Sequence, residues 1–209
     1  MAKLAAMDDL LTGYARFRTQ QWPHQREIFE HLADAGQRPK ALVIACSDSR
    51  CDPGAVFDAG PGEIFIIRNV ANLVPPYAPD GAYHGTSAAL EFAVRHLEVP
   101  KIVVMGHAMC GGIGALMRGV PQSCPDFIAS WISIAAVARN RVLACDDGTD
   151  PVRACEYEAV RLSLENLATF PWIAERVAQG KLELYGTLFD IRTGVLERLQ
   201  ADGSFVAAA

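Results

Sequence analysis

The chain has 209 residues, a length that suits one domain built around a single core. Its 19 basic and 24 acidic residues leave a formal net charge of −5, which gives no basic surface for nucleic acid or an anionic membrane. Hydrophobic residues make up 51% of the chain and charged residues 21%, so a disordered protein is excluded and apolar surface is left over for subunit contacts.

The first part of the chain is predicted to be helical. Between positions 8 and 36 apolar residues recur at helical spacing, Pro23 is placed to open a second helix, and Gly36 is placed to close it. We therefore expect residues 1–36 to form a helical arm that precedes the first strand.

Short runs rich in valine and isoleucine follow the arm. They predict strands at Ala41–Cys46, Glu63–Arg68 and Lys101–Gly106, with helical segments between them. Alternation of strands and helices is typical of a parallel sheet covered by helices.

One later segment, 127–138, is apolar on nearly every face of a helix. Such a helix has to be covered all round, and we leave open whether the core or a second subunit covers it. The segment is too short to cross a bilayer, so no membrane partner is expected.

The C-terminal part continues the same pattern. A helix is predicted to start at Asp150-Pro151, a second one runs from Pro171 to Gly180, and a strand follows at Leu182–Ile191. The Thr193-Gly194 turn returns the chain as a short final strand. No repeat or linker interrupts residues 1–209, so we expect one domain with an α/β core at 37–209.

The predicted fold class is therefore α/β: a parallel-core β-sheet covered by helices, with an N-terminal helical extension and an added C-terminal strand. Six cysteines are too few for a disulfide scaffold, and Asp8 and Asp9 interrupt the N-terminus before a signal-peptide apolar run. We expect a cytoplasmic protein whose thiols stay reduced.

Two candidate site segments follow predicted strands directly. Cys46-Ser47-Asp48-Ser49-Arg50 comes after the first strand and Gly106-His107-Ala108-Met109-Cys110 after the third, and α/β sheets place ligands at the carboxyl ends of strands. Residues two apart on an extended segment point to one side, so Cys46 and Asp48 are expected to converge. His107 and Cys110 are three apart, which brings them to one face of a turn.

Cys46, His107 and Cys110 form a three-ligand zinc set of the catalytic kind, with the fourth position open or filled by Asp48. Glycines at 106, 111 and 112 are expected to let the backbone approach the metal, and a helix starting near Cys110 is expected to lower the pKa of its thiol. The remaining cysteines are predicted to be packing residues or incidental thiols: Cys51, Cys124, Cys145 and Cys155.

Two rival motifs fail on spacing. A phosphatase loop needs an arginine six positions after the cysteine, whereas position 52 is aspartate. A dinucleotide loop starting at Gly112-x-Gly114 has Met117 where its third glycine belongs.

Three segments together resemble the β-class carbonic anhydrases in order and spacing. They are Cys46-Ser47-Asp48-Ser49-Arg50, the stretch from Gly62-Glu63 through Arg68-Asn69-Val70-Ala71-Asn72, and Gly106-His107-x-x-Cys110-Gly111-Gly112. The resemblance implies a zinc lyase that interconverts carbon dioxide and bicarbonate through zinc-bound hydroxide. It implies Cys46, His107 and Cys110 as ligands, with Asp48 and Arg50 as a catalytic pair beside the metal; a local turn-stabilising ion pair is the alternative role for these two.

The resemblance also implies a subgroup. Gln37, Phe65, Val70 and Gly111 fall where the plant-like members, which have an open zinc site, carry their substrate-pocket residues. The bicarbonate-inhibited members have tryptophan and tyrosine at the positions of Val43 and Phe189, so no effector pocket of that kind is expected.

By the same resemblance a second subunit completes the pocket, which predicts a homodimer or a dimer of dimers. His96, and less directly His84, are candidate proton carriers because histidine titrates near neutral pH. Two alternatives stay open at this stage: hydrolysis of carbonyl sulfide or carbon disulfide at the same zinc, and a zinc- or redox-sensing module.

Overall fold

The computed structural model describes residues 5–145 and 148–208. The described residues form two compact units that divide between Arg38 and Pro39. None of their helices is long and apolar enough to cross a membrane.

The first unit consists of two helices joined by a π-helical turn. Helix α1 spans Ala5–Arg16, the turn spans Phe17–Gln21, and α2 spans Trp22–Ala35. Pro23 lies in the first turn of α2 as predicted, and Gly36 ends the helix with a φ of 76°. No residue from 7 to 38 is buried, so the apolar side chains of this unit stay at least partly exposed.

The second unit contains a six-stranded sheet with the strand order β2-β1-β3-β4-β5-β6. Strands β1 to β4 are parallel, and β5 and β6 run antiparallel at one edge. The strands are β1 (Ala41–Cys46), β2 (Ile64–Asn69), β3 (Lys101–His107), β4 (Glu183–Phe189), β5 (Leu196–Leu199) and β6 (Phe205–Ala207). The predicted α/β class with a parallel core is confirmed.

Helices lie between and after these strands. They are α3 (Pro53–Val56), α4 (Gly85–Glu91), α5 (Gly111–Arg118), α6 (Ile128–Ile132), α7 (Ala136–Ala144), α8 (Pro151–Leu167) and α9 (Pro171–Ala178). A π-helical segment continues α4 over Phe92–His96, and a 3-10 turn follows β2 at Val70–Asn72. Asp150 caps α8 by accepting the N–H of Val152 at 3.2 Å, as its sequence predicts.

The hydrophobic core lies on both faces of the sheet. Leu42 and Ile44 of β1 belong to one buried cluster, whereas Val43 and Ala45 belong to another. Because successive side chains of a strand point to opposite faces, β1 is covered on both sides, which explains its continuous apolar run.

The apolar segment 127–138 differs from its prediction. It is broken into α6, a 3-10 turn at Ser133–Ala135, and α7, and the Ser133 hydroxyl donates back to the Ser130 carbonyl at 2.7 Å. Such a bond competes with regular helix geometry. Only one face is buried, since Ala138 is fully buried while Phe127 is 84% exposed, so the chain itself does not cover the segment all round.

The C-terminal edge has one strand more than predicted. After the turn at Gly194 the chain forms β5, and a second turn at Gly203 leads into β6, which pairs with β5. Three residues are too few for a period-two pattern to be visible in the sequence, which explains why β6 was missed.

Candidate metal centre

Three side chains from two neighbouring strands meet at the carboxyl edge of the sheet. Cys46 is the last residue of β1 and His107 is the last residue of β3, which pairs with β1. Cys110 follows three residues after His107 and occupies the N-cap position of α5, without a capping bond from its side chain. The ligand atoms of these three buried residues all lie within 4.8 Å of one another.

The imidazole of His107 is oriented as a metal ligand. It is 1% exposed, and its Nδ1 lies 2.9 Å from the carbonyl oxygen of Ala108, which can only accept a hydrogen bond. The proton therefore sits on Nδ1 in the neutral ring, leaving the lone pair on Nε2. Nε2 is buried and has no hydrogen-bond partner of good geometry among the described atoms.

The donor set fits zinc. Two thiol sulfurs and one imidazole nitrogen are ligands that Zn²⁺ binds in tetrahedral sites, and three protein ligands leave a fourth position for an exchangeable group. The unsatisfied Nε2 of His107 is the feature that a bound cation explains, because a buried nitrogen without a partner is otherwise costly.

The three groups differ in acidity. Hydrogen bonding from Cys110 is the main cause that lowers the pKa of the Cys46 thiol to about 4, and the N–H of Ala71 also donates to this sulfur at 3.3 Å. Burial opposes charge on His107, but the sulfur atoms of Cys46 and Cys51 outweigh it and raise its pKa to about 10. A metal ion replaces such shared protons, since its ligands must be deprotonated.

The expected lowering of the Cys110 pKa by the start of α5 is present but outweighed when the thiol faces Cys46. Hydrogen bonding to Cys46 and burial both raise the pKa of the Cys110 thiol. The N–H groups of Gly112 and Ile113 at the start of α5 do act in the predicted direction, but they are outweighed.

Asp48 and Arg50 form a bidentate pair beside the three ligands. Arg50 donates from Nε to Oδ1 of Asp48 at 2.9 Å and from Nη2 to Oδ2 at 2.7 Å. These bonds hold the pKa of Asp48 well below its usual range. Oδ2 of Asp48 lies 4.0 Å from Nε2 of His107, and the Cys46 sulfur lies within 4.8 Å of the His107 ligand atom, so Asp48 stands beside the three ligands.

A second arginine supports the same loop. Arg68 of β2 donates to the carbonyl oxygens of Cys46 at 3.0 Å and Asp48 at 2.6 Å, and it pairs with Asp52 at 2.8 Å. The buried thiol of Cys51 also lies against this loop, 3.4 Å from the Asp48 carbonyl. Neither the Arg68 bonds nor the Cys51 contact was predicted from the residues, although Arg68 lies in the segment 62–72 that carries part of the resemblance.

A buried carboxylate was missed altogether. Glu156 of α8 is 3% exposed and accepts the backbone N–H of Cys110 at 2.9 Å. Burial raises its pKa, while the bond from Cys110 and the charge of Arg153 oppose that rise. Glu156 lies four residues before the buried Val160, which places both on one face of the helix, and this spacing could have identified it.

Two of the three glycines of the site also have a packing role, which the sequence did not predict. A Cβ at Gly106 would lie 2.6 Å from a methyl group of Val160, and one at Gly112 would lie 2.7 Å from a methyl group of Val70. A Cβ at Gly111 would meet nothing within 4 Å. Gly106 and Gly112 therefore permit close packing of neighbouring side chains.

The four predicted pocket residues come from different segments of the chain. Gln37 belongs to the first unit, and the Phe65 ring stacks against Phe92 with 6.0 Å between centroids. Val70 precedes Ala71, whose N–H reaches the Cys46 sulfur, and Gly111 follows Cys110. Val70 and Gly111 are thus each adjacent in the chain to a residue of the metal centre.

The two candidate proton carriers contact other groups. His84 Nε2 lies 2.6 Å from an Asp80 oxygen, and the His96 ring packs 4.7 Å from that of Phe92. All six cysteines are free. Of the four cysteines not predicted as ligands, Cys51 and Cys155 are buried packing residues, whereas Cys124 and Cys145 are exposed.

Comparisons with known proteins agree with this geometry. A family model described as carbonic anhydrase matches residues 41–196. Beta carbonic anhydrase 3 of Arabidopsis thaliana is 39% identical over 96% of this chain and 79% of its own length, and a carbonic anhydrase of Synechococcus elongatus is 35% identical over 95% and 73%. The solved structure of the β-carbonic anhydrase CcaA superposes with a TM-score of 0.90 at 32% identity, covering 97% of this chain and 99% of that one. The chain therefore belongs to the carbonic anhydrase family, in its β class.

Proposed function

We propose that this protein is a zinc-dependent carbonic anhydrase that catalyses the reversible reaction of carbon dioxide and water to bicarbonate and a proton. The observation that carries the proposal is the convergence of Cys46, His107 and Cys110 around an unsatisfied Nε2, with the Asp48–Arg50 pair beside them. The names of the matched relatives support the same activity.

Cys46, His107 and Cys110 would hold one Zn²⁺ per subunit. When bound there, zinc supplies Lewis acidity that lowers the pKa of a coordinated water, so that a nucleophile is available near neutral pH. The chain's own contribution is to leave the fourth position open and to control what lies beside it.

Asp48 is proposed to orient the attacking oxygen. Its ionised carboxylate can accept a hydrogen bond from the attacking water or hydroxide and thereby direct the remaining lone pair at the carbon of carbon dioxide. Arg50 fixes the carboxylate through its fork of two N–H donors. Without Arg50 the carboxylate is free to turn toward the metal position and close the site as a fourth ligand.

The substrate pocket is proposed to include Gln37, Phe65, Val70 and Gly111. Apolar side chains at 65 and 70 suit an uncharged linear molecule, and the Gln37 amide can donate a hydrogen bond to its oxygen. Following the resemblance, a second copy is proposed to complete this pocket, hence a homodimer or dimer of dimers. One matched structure, 32% identical with a TM-score of 0.71, is described as one of two tetrameric β-carbonic anhydrases of Sordaria macrospora.

Further parts of the proposal concern subgroup and setting. Val43 and Phe189, in place of tryptophan and tyrosine, support the plant-like subgroup with an open zinc site. His96 or His84 would pass the proton to solvent. We further propose that residues 1–209 act as one domain and that the protein is cytoplasmic, since six free cysteines suit a reducing compartment.

The test is proton release after rapid mixing of zinc-loaded protein with dissolved carbon dioxide, followed with a pH indicator. We expect acceleration over buffer, loss of the acceleration after chelation, and recovery when Zn²⁺ is restored. No acceleration by protein shown to contain zinc would refute the proposed function. Neither the described residues nor the names of the relatives favour carbonyl sulfide or carbon disulfide hydrolysis, or a sensing role.

A further inference from the structure

A buried carboxylate lies behind one of the proposed zinc ligands. Glu156 comes from α8, 46 residues beyond Cys110, and its Oε1 accepts the Cys110 N–H at 2.9 Å. Its Oε2 lies 3.5 Å from Arg153, which also contacts Glu197 at 3.3 Å. Glu156 is therefore held from its own helix while it reaches the neighbouring turn.

The turn that it contacts has an unusual backbone. Met109 has a φ of 56°, in the left-handed region that non-glycine residues seldom adopt. Such a conformation persists only where surrounding contacts determine it. The direction of the Cys110 side chain depends on this turn, because Met109 immediately precedes Cys110.

Both polar ends of the peptide between Met109 and Cys110 are held. Its carbonyl oxygen accepts from Arg50 Nη2 at 3.2 Å, and its N–H donates to Glu156. Arg50 is half exposed, whereas Glu156 is almost fully buried. The contact with Glu156 is therefore the shorter and the better shielded of the two.

We propose that Glu156 is a positioning residue for the metal centre: by accepting the Cys110 N–H it fixes the left-handed turn in which the Cys110 sulfur meets Cys46 and His107. The proposal rests on the proposed zinc site. The bond that Glu156 makes goes to the backbone of Cys110 and not to its sulfur, so its proposed effect is on ligand geometry and metal affinity. Partners of this kind typically change metal affinity by about 10- to 100-fold when removed.

Two substitutions of Glu156 separate the position of its accepting oxygen from the charge of its carboxylate. Glu156→Gln keeps an oxygen at the same reach but removes the charge, whereas Glu156→Asp keeps the charge but withdraws the oxygen by one methylene. Glu158→Ala is the matched control, because Glu158 lies on the same helix and pairs with Arg141 and Arg161 rather than with the Cys110 turn.

The assay is zinc affinity by competition with a chromophoric chelator, together with visible absorption of the cobalt-substituted proteins. We expect Glu156→Asp to bind zinc about 10-fold more weakly or worse and to shift the thiolate and ligand-field bands of cobalt. Glu156→Gln and Glu158→Ala should stay within about threefold of the unsubstituted protein. Zinc affinity of Glu156→Asp within threefold, or an equal loss in Glu156→Gln, would overturn the proposal.

A second measurement serves if Glu156→Asp does not fold. In the near-isosteric Glu156→Gln variant the amide proton resonance of Cys110 is expected to move upfield, because a neutral amide oxygen is a weaker acceptor than a carboxylate. An unmoved resonance would overturn the proposal. These readouts do not depend on carbon dioxide turnover, so a protein that binds zinc as expected but lacks activity would refute the proposed function alone.

Discussion

Replacement of Arg50 by alanine separates a catalytic role of the Asp48–Arg50 pair from a purely structural one. The substitution removes both bonds of the fork, at 2.9 and 2.7 Å, and the longer bond to the Met109 carbonyl. Arg50 is half exposed, and exposed ion pairs contribute little to stability, so we expect Tm to fall by roughly 2–4 °C at most. Turnover should fall much further, by about 100-fold, because a reacting group displaced by about 1 Å loses that much rate.

The assay for this prediction is stopped-flow carbon dioxide hydration from pH 6.5 to 9, beside thermal unfolding and zinc content of the same samples. Arg50→Lys is the matched variant: lysine keeps the charge but lacks the planar fork, so we expect it to recover only part of the lost rate. Full turnover of Arg50→Ala, with zinc bound and an unchanged pH profile, would refute the orienting role and leave a turn-stabilising ion pair.

Four further predictions follow from particular contacts. The pKa of Asp48 is held below its usual range, so the carboxylate stays ionised at every pH above about 4. Asp48→Asn should therefore lose the same factor of activity at pH 6.5 and at pH 8.5. A loss confined to one end of that range would contradict this prediction. Gly106→Ala should lower the free energy of unfolding, measured by denaturant titration, by about 1–3 kcal/mol, because its Cβ would lie 2.6 Å from Val160. Adding Val160→Ala to this variant should restore most of the lost free energy of unfolding. Cys46→Ser should abolish tight zinc binding while the circular dichroism of the metal-free protein is retained. Phe127 is 84% exposed, and a second copy that covers this face would bury it. Phe127→Asp should then increase the dissociated fraction of the protein in sedimentation experiments. An unchanged ratio of monomer to oligomer would exclude Phe127 from the subunit interface.

The parts of the fold that follow local rules could be predicted from the sequence. Strand β1 is an unbroken apolar run. It ends at Cys46, as predicted, because polar residues follow from position 47 onward. Asp150 and Pro151 start α8 by a capping mechanism that needs only neighbouring residues. The metal centre was predictable from a rule about the whole sheet: the carboxyl ends of adjacent parallel strands meet at one edge.

The parts that depend on contacts between distant residues could not be predicted. Nothing near Gly106 in the sequence shows that Val160 would occupy the space of its missing side chain. The break of the apolar segment coincides with the bond from the Ser133 hydroxyl to the Ser130 carbonyl, and hydrophobic periodicity does not indicate it. Helical periodicity describes which face is apolar, but it does not describe how far that face is covered.

The two sides of the site have different structural origins, and this difference has functional consequences. Asp48 and Arg50 are two residues apart and build their fork within one loop, so a change there acts first on orientation of the reacting oxygen and only second, through the longer Arg50 bond to the Met109 carbonyl, on the Cys110 turn. Cys110 is oriented by a turn whose N–H is held by Glu156 from a distant helix. Substitutions along the buried face of α8 should therefore weaken metal binding first, whereas substitutions between Cys46 and Arg50 that spare the ligand should reduce turnover at full zinc occupancy.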